Sequence, residues 1–158
     1  MSHEHSFACR LAWTGSTTDI ASYSREHQIS IERKPTLKMT AAPAFRGDPA
    51  IANPEDLLMA ALSSCHFLSY AALCVRKGIV LVSYEDDAFG KMEMSAGKIR
   101  FVDVLLKPRC VIASGDLDVA KKLHDNAHAE CFIASSVNFP VRHEAVCVNT
   151  RHTLPKAD

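Results

Sequence analysis

Asn53-Pro54-Glu55-Asp56-Leu57-Leu58-Met59-Ala60-Ala61-Leu62-Ser63-Ser64-Cys65-His66 is the stretch on which the reading of this chain turns. Asparagine is a good N-cap, proline fits the first helical position, and Glu55 and Asp56 sit where the positive end of a helix dipole favours acids. Leu58, Ala61, Leu62, Cys65, Leu68, Ser69 and Ala72 recur at spacings of three and four, so a long helix carries Cys65 on a face of small and branched apolar residues. Gly78 ends it. Residues 57–75 are apolar enough to raise a membrane span, but Ser63, Ser64, His66 and Ser69 interrupt them. A buried helix is the cheaper reading, and no membrane is expected.

Upstream of that helix, residues 7–13 and 27–32 alternate apolar and polar side chains and read as antiparallel strands joined by a polar turn. Residues 41–52 carry Pro43, Gly47 and Pro49 and form a loop leading into the helix. Downstream, strand-like segments at 79–84, 91–94 and 99–107, with turn signals near Phe89-Gly90 and Ala96-Gly97, suggest a meander. Asp116 or Asp118 can cap a second helix running through Ala120, Leu123, His124 and Ala127 toward Cys131, and 140–148 reads as a closing strand. At 158 residues the chain fits a single domain, 1–158, with one compact core.

Composition narrows the function classes. Lys plus Arg equals Asp plus Glu at 18 each, which leaves no bulk field to draw in nucleic acid or an anionic membrane. The start, Met1-Ser2-His3-Glu4-His5-Ser6, lacks a basic segment followed by an apolar run, so a cytoplasmic location with reduced thiols is the expectation. The six cysteines, at 9, 65, 74, 110, 131 and 147, show no CxxC and no short regular spacing, which argues against a secreted disulfide framework or a zinc finger.

Two of these cysteines stand out. Cys65 precedes His66 on the capped helix, and Cys131 lies in Ala127-His128-Ala129-Glu130-Cys131-Phe132-Ile133. A cysteine is a useful nucleophile only as thiolate, which needs a positive charge or hydrogen-bond donors in a partly desolvated site. Arg46, in the loop before the helix, and Arg25, at the entry to the second strand, are the nearest cations, and Glu55 could orient either one through a bidentate pair. The bland alternative is that a cysteine on an apolar helix face is simply core, which is the reading adopted for Cys9, Cys74, Cys110 and Cys147 as core or surface residues. His124, His128 and Cys131 would share one helical stripe as possible metal ligands, but no fourth ligand is specified. His66 could equally be a hydrogen-bonded structural histidine.

Taken together and in order, these pieces resemble the OsmC/Ohr family of thiol-dependent hydroperoxide reductases. The resemblance rests on Asn53-Pro54-Glu55-Asp56-Leu57-Leu58, then Ala61 and Cys65-His66, then Ala127-His128 with Cys131, then Val137-Asn138-Phe139-Pro140-Val141, and it spans most of the chain. It implies an α/β (α+β) OsmC-like fold, an interlocked homodimer with antiparallel sheets around a long central helix and active sites at the interface. It also implies that the Cys65 thiolate attacks an organic hydroperoxide and becomes a sulfenic acid. Cys131 then resolves it as a Cys65–Cys131 disulfide, which a dithiol, possibly on a lipoylated protein, reopens. Glu55 takes the place of a glutamate that pairs with an arginine: Arg46 first, by the resemblance to the OsmC branch, with Arg25, by the resemblance to the Ohr branch, as the alternative. No metal, flavin or nicotinamide is implied.

The chain departs from the family pattern at Cys131-Phe132-Ile133-Ala134, which stands in place of a Cys-Pro-x-Ser run. Without that proline the helix is expected to run through Cys131, with Phe132 lining the substrate cleft. The alternatives to peroxidase turnover are a redox-sensing or ligand-binding protein of the same fold, and a metal or small-molecule binder using His124, His128 and Cys131.

Overall fold

The computed structural model describes residues 4–150; residues 1–3 of the chain start read above lie outside them. The chain divides after Leu58 into two compact units.

In the first unit, β1 (Arg10–Ala12), β2 (His27–Ser30) and β3 (Leu37–Met39) form an antiparallel sheet in that order, with Leu11 opposite Ile29 and Ile29 opposite Leu37. The first two strands are those expected, with shorter bounds. β3 is too short to show alternation and escapes a periodicity reading. The loop that follows makes a 3-10 turn at Pro43–Phe45, closed by Arg46 in the left-handed region at φ 68°. Gly47 is obligatory there, because a Cβ would fall 1.5 Å from the carbonyl oxygen of Ala41.

Asn53 then caps α1 (Pro54–Arg76) reciprocally: the Asp56 amide donates to Asn53 Oδ1 at 3.0 Å, and the Asn53 amide donates to Asp56 Oδ2 at 3.1 Å. This is a capping box with aspartate in the glutamate's role. At the other end Gly78, at φ 66°, lets the Ile79 amide turn back onto the Cys74 carbonyl at 2.9 Å.

The second unit carries most of α1 and two three-stranded sheets. One is ordered β4 (Val80–Asp86), β7 (Pro108–Ser114), β9 (Val146–Asn149); the other is ordered β5 (Phe89–Ser95), β6 (Lys98–Leu106), β8 (Val141–His143). The expected meander is therefore wrong. β5 and β6 do form a hairpin through Ala96-Gly97, but β4 skips past it to pair with β7. Gly90 is no turn either; it lies inside β5, where a Cβ would stand 2.5 Å from the Met59 sulfur and 2.8 Å from the Phe101 ring. Its signal is close packing, which a glycine in a strand can also mean.

The segment 140–148 is two strands, one for each sheet, and both run parallel to their neighbours. The sheets are thus mixed, where antiparallel ones were expected. Parallel neighbours need a long crossover, and α2 (Leu117–Glu130) supplies it. Asp116, one of the two expected caps, accepts from the amides of Asp118 and Val119 at 2.8 and 2.9 Å.

Tyr70, Leu73 and Cys74 of α1, Cys110 and Ile112 of β7, and Ala120, Leu123 and Ala127 of α2 make one buried cluster. The fold is α+β, with α1 and α2 packed over β7. By length and composition α1 could also cross a membrane; its buried positions, Leu62, His66, Tyr70, Leu73 and Cys74, form the stripe that meets this core.

Replacing Asn53 with Ala removes the side-chain half of the capping box, the acceptor of the Asp56 amide, and is expected to lower unfolding stability by about 1–2 kcal/mol. A shift of the urea midpoint at constant slope measures it. An unchanged midpoint would mean that the cap does not hold the helix start.

Candidate active site

Cys65 sits on the flank of α1, one residue before the buried His66, and is partly exposed. His66 Nε2 lies 3.0 Å from His124 Nδ1, and the two rings stack with centroids 5.3 Å apart. Tyr70, one turn further along the same stripe, stacks on the other part of His124 at 3.8 Å. These contacts fix how α1 is rotated about its axis, and with it the direction in which Cys65 points.

Burial drives the His66 pKa down from 6.5 to about 3, with His124, His143 and His128 pushing the same way. His66 is thus a neutral structural group; it offers Cys65 no positive charge.

Cys131 is almost wholly buried, at 1% exposure, and lies beside Cys65; both thiols are free. Burial raises the Cys131 pKa, and the neighbouring Cys65 thiol adds to the rise, against the Ala134 amide that donates to its sulfur at 3.4 Å. Cys131 is thus held in its protonated form. The two thiols singled out in the sequence are brought together by α1 and the end of α2.

The helix does not run through Cys131, contrary to expectation. α2 ends at Glu130, and Cys131 takes an extended ψ of 108° as its cap. The reason lies in the following residues: the Ser135 amide donates to the Cys131 carbonyl at 3.0 Å, and the hydroxyls of Ser135 and Ser136 donate to the Phe132 carbonyl at 2.9 and 2.7 Å. This serine-held turn stops the helix where the family's proline would. Phe132 is 80% exposed and faces outward, so it lines no cleft formed by this chain's described residues.

The other candidates lie in the first unit. Arg25 is half-buried, stacks 4.2 Å over the Tyr23 ring and donates to the carbonyls of Tyr23 and Ile20, both at 2.9 Å. It forms part of a cavity of about 370 Å³ with Leu11, Trp13, Tyr23, His27 and Pro54. Arg46 is exposed and reaches the same Ile20 carbonyl at 3.4 Å. Glu55 Oε2 is buried with no hydrogen-bond partner among the described residues. A buried carboxylate oxygen in that state is costly and is suited to a guanidinium donor.

The alternative of a metal stripe at His124, His128 and Cys131 does not assemble. His124 turns inward to Cys110 and Cys147, His128 faces His143 with ring centroids 6.0 Å apart, and Cys131 leaves the helix for Cys65. The sequence reading missed the gathering of His66, His124, His128 and His143 from α1, α2 and β8; His124 and His128 share an i,i+4 spacing, but no local pattern brings His66 or His143 to them.

Residues 47–145 match the family described as OsmC-like protein. An uncharacterized Bacillus subtilis protein, YmaD, is 20% identical over 138 residues, covering 85% of this chain and 87% of its own. A solved OsmC-like protein of unknown function from Vibrio cholerae superposes with TM-score 0.83 at 28% identity, over 90% of this chain and 100% of that one. The organic hydroperoxide resistance protein OsmC of Legionella pneumophila, at 14% identity and TM-score 0.67 over 92% of this chain and 98% of that one, shares the fold.

The depressed His66 pKa has a sign for stability. The unfolded chain protonates this histidine near 6.5 and the folded chain only near 3, so stability falls as pH drops from 6.5 toward 3. Urea titrations across that window should show a declining midpoint, and His66→Gln should flatten the decline. Equal declines in both proteins would contradict the neutral, buried assignment.

Proposed function

The chain belongs to the OsmC-like protein family, and from that premise we propose that it is a thiol-dependent peroxidase acting on organic hydroperoxides. The observation that carries this reading is the pairing of a partly exposed Cys65 with a buried, proton-retaining Cys131. The Cys65 thiolate attacks the terminal peroxide oxygen; the O–O bond breaks, the departing alkoxide takes a proton to leave as alcohol, and Cys65 becomes a sulfenic acid. Cys131 gives up its proton and attacks the sulfenic sulfur; water leaves and a Cys65–Cys131 disulfide remains. A dithiol such as a lipoylated protein in a reducing cytoplasm returns both thiols by exchange.

Thiolate formation calls for a cation, and we assign it to an arginine held by Glu55. Glu55 lies ten residues before Cys65 on α1, about 15 Å along a helix axis, beyond the reach of one glutamate side chain. The acid and its arginine are therefore supplied by the second copy in a homodimer. In keeping with that, only 28% of the most apolar stretch of α1 is buried within one chain, and Leu68 and Val75 are 62% and 81% exposed. A second copy of α1 would cover that face. Arg25, half-buried and next to an apolar cavity fit for an alkyl chain, is better placed for the role than exposed Arg46.

Turnover of cumene hydroperoxide with dihydrolipoamide tests the proposal. Cys65→Ser should abolish it, and Cys131→Ser should consume one equivalent and stall as a dimedone-reactive sulfenic acid. Arg25→Ala should cost more than Arg46→Ala, on the order of 10²-fold, the scale for one transition-state charge contact. Turnover surviving in Cys65→Ser would end the peroxidase reading. A disulfide that forms without turnover on any dithiol would mark a redox sensor instead.

A further inference from the structure

A second group of thiols lies away from Cys65, in the core of the second unit. Cys110 of β7 and Cys147 of β9 are direct partners across the parallel pairing, with their side chains on the face that α2 covers. His124 of α2 points its Nε2 between them, 3.5 Å from the Cys110 sulfur and 3.8 Å from the Cys147 sulfur. The three ligand atoms all fall within 4.8 Å of one another. Tyr70 Oη closes a further side, 3.6 Å from the Cys147 sulfur.

We propose that Cys110, Cys147 and His124 form a binding site for a thiophilic divalent cation of the Zn²⁺ class, distinct from the Cys65–Cys131 pair. The edges fit. With metal–sulfur bonds of about 2.3 Å and metal–nitrogen bonds of about 2.0–2.1 Å, a tetrahedral ion needs sulfur–nitrogen separations of about 3.6 Å. The observed 3.5 and 3.8 Å bracket that value before any ligand moves.

The donor set fits as well. Two thiolates and a neutral imidazole are the soft and borderline ligands that such an ion selects over harder cations. Two thiolates also balance a divalent charge, so the loaded site is neutral, which a buried pocket requires.

The surroundings supply what a ligating histidine needs. With Nε2 on the metal, His124 Nδ1 carries the proton and donates to His66 Nε2 at 3.0 Å, which fixes tautomer and ring plane. All three ligands sit on a helix or sheet whose register is set by the core, so little ordering cost remains on binding. Cys110 and His124 are buried and Cys147 is partly exposed, which gives the ion its side of entry.

Binding converts both thiols to thiolates and releases their protons. The buried Nδ1 of His66, without a hydrogen-bond partner among the described residues, marks where this polar cluster ends.

Full-length protein, reduced and stripped with chelator, tests the site by titration with Co²⁺ alone. One cobalt per chain should bind, with the thiolate-to-cobalt charge-transfer band and the visible bands of a tetrahedral ion. Zn²⁺ should displace it. The spectrum should persist in Cys65→Ser/Cys131→Ser and vanish in Cys147→Ser. Because Cys147→Ser could disturb the core, X-ray absorption at the zinc edge of the wild-type chain gives an independent reading, expected to show two sulfur scatterers. No charge-transfer band, a band lost in the Cys65/Cys131 variant but kept in Cys147→Ser, or a zinc shell without sulfur would each overturn the proposal, leaving two core thiols hydrogen-bonded to a histidine.

Discussion

The second unit turns on one contact, the 3.0 Å approach of His66 Nε2 to His124 Nδ1 in the core between α1 and α2. Because α1 is a rigid helix, fixing His66 inward fixes every other side chain around it. Tyr70 follows on the same stripe and Cys65, one residue before His66, is turned to the flank. The same contact anchors α2, whose end delivers Cys131 to Cys65. A hydrogen bond between two buried imidazoles contributes only about 1 kcal/mol net, but leaving either one unpaired costs more. It therefore acts chiefly by selecting one rotation of α1 over others.

That choice explains the inequality of the two thiols. Cys65, on the flank of a helix, is open enough to meet a substrate, whereas Cys131, tucked under a serine-held turn, is desolvated and keeps its proton. The proposed attack and resolution need that division, since a resolving thiol should remain unreactive toward peroxide until the sulfenic acid forms. Among the described residues, the Glu55 oxygen has no hydrogen-bond partner and the apolar face of α1 stays open, the two features on which the proposed second copy rests.

The parts legible in the sequence are those governed by local rules. The cap at Asn53, the left-handed exit at Gly78, the hairpin at Ala96-Gly97 and the cap at Asp116 follow from chain-local chemistry, and each is found. The meander fails because strand pairing is a long-range choice: nothing within 79–114 states that β4 should pair with β7 around an intervening hairpin. Gly90 misleads for a related reason, since its space is taken by Met59 and Phe101. Likewise Cys110 and Cys147 look like filler in one dimension, and only the parallel pairing of β7 and β9 sets them side by side under His124. Cys65 and Cys131 stand out in the sequence because each sits in a distinctive local setting, and the structure sets them side by side.

The central claim is that Cys65 and Cys131 form one redox couple. Peptide mapping by mass spectrometry, after one equivalent of cumene hydroperoxide and blocking of remaining thiols, tests it most directly. The account predicts a single new link joining the Cys65 and Cys131 peptides, with Cys110 and Cys147 recovered as free thiols. A Cys65 oxidised without linkage to Cys131, or a link that instead joins Cys110 to Cys147, would contradict it.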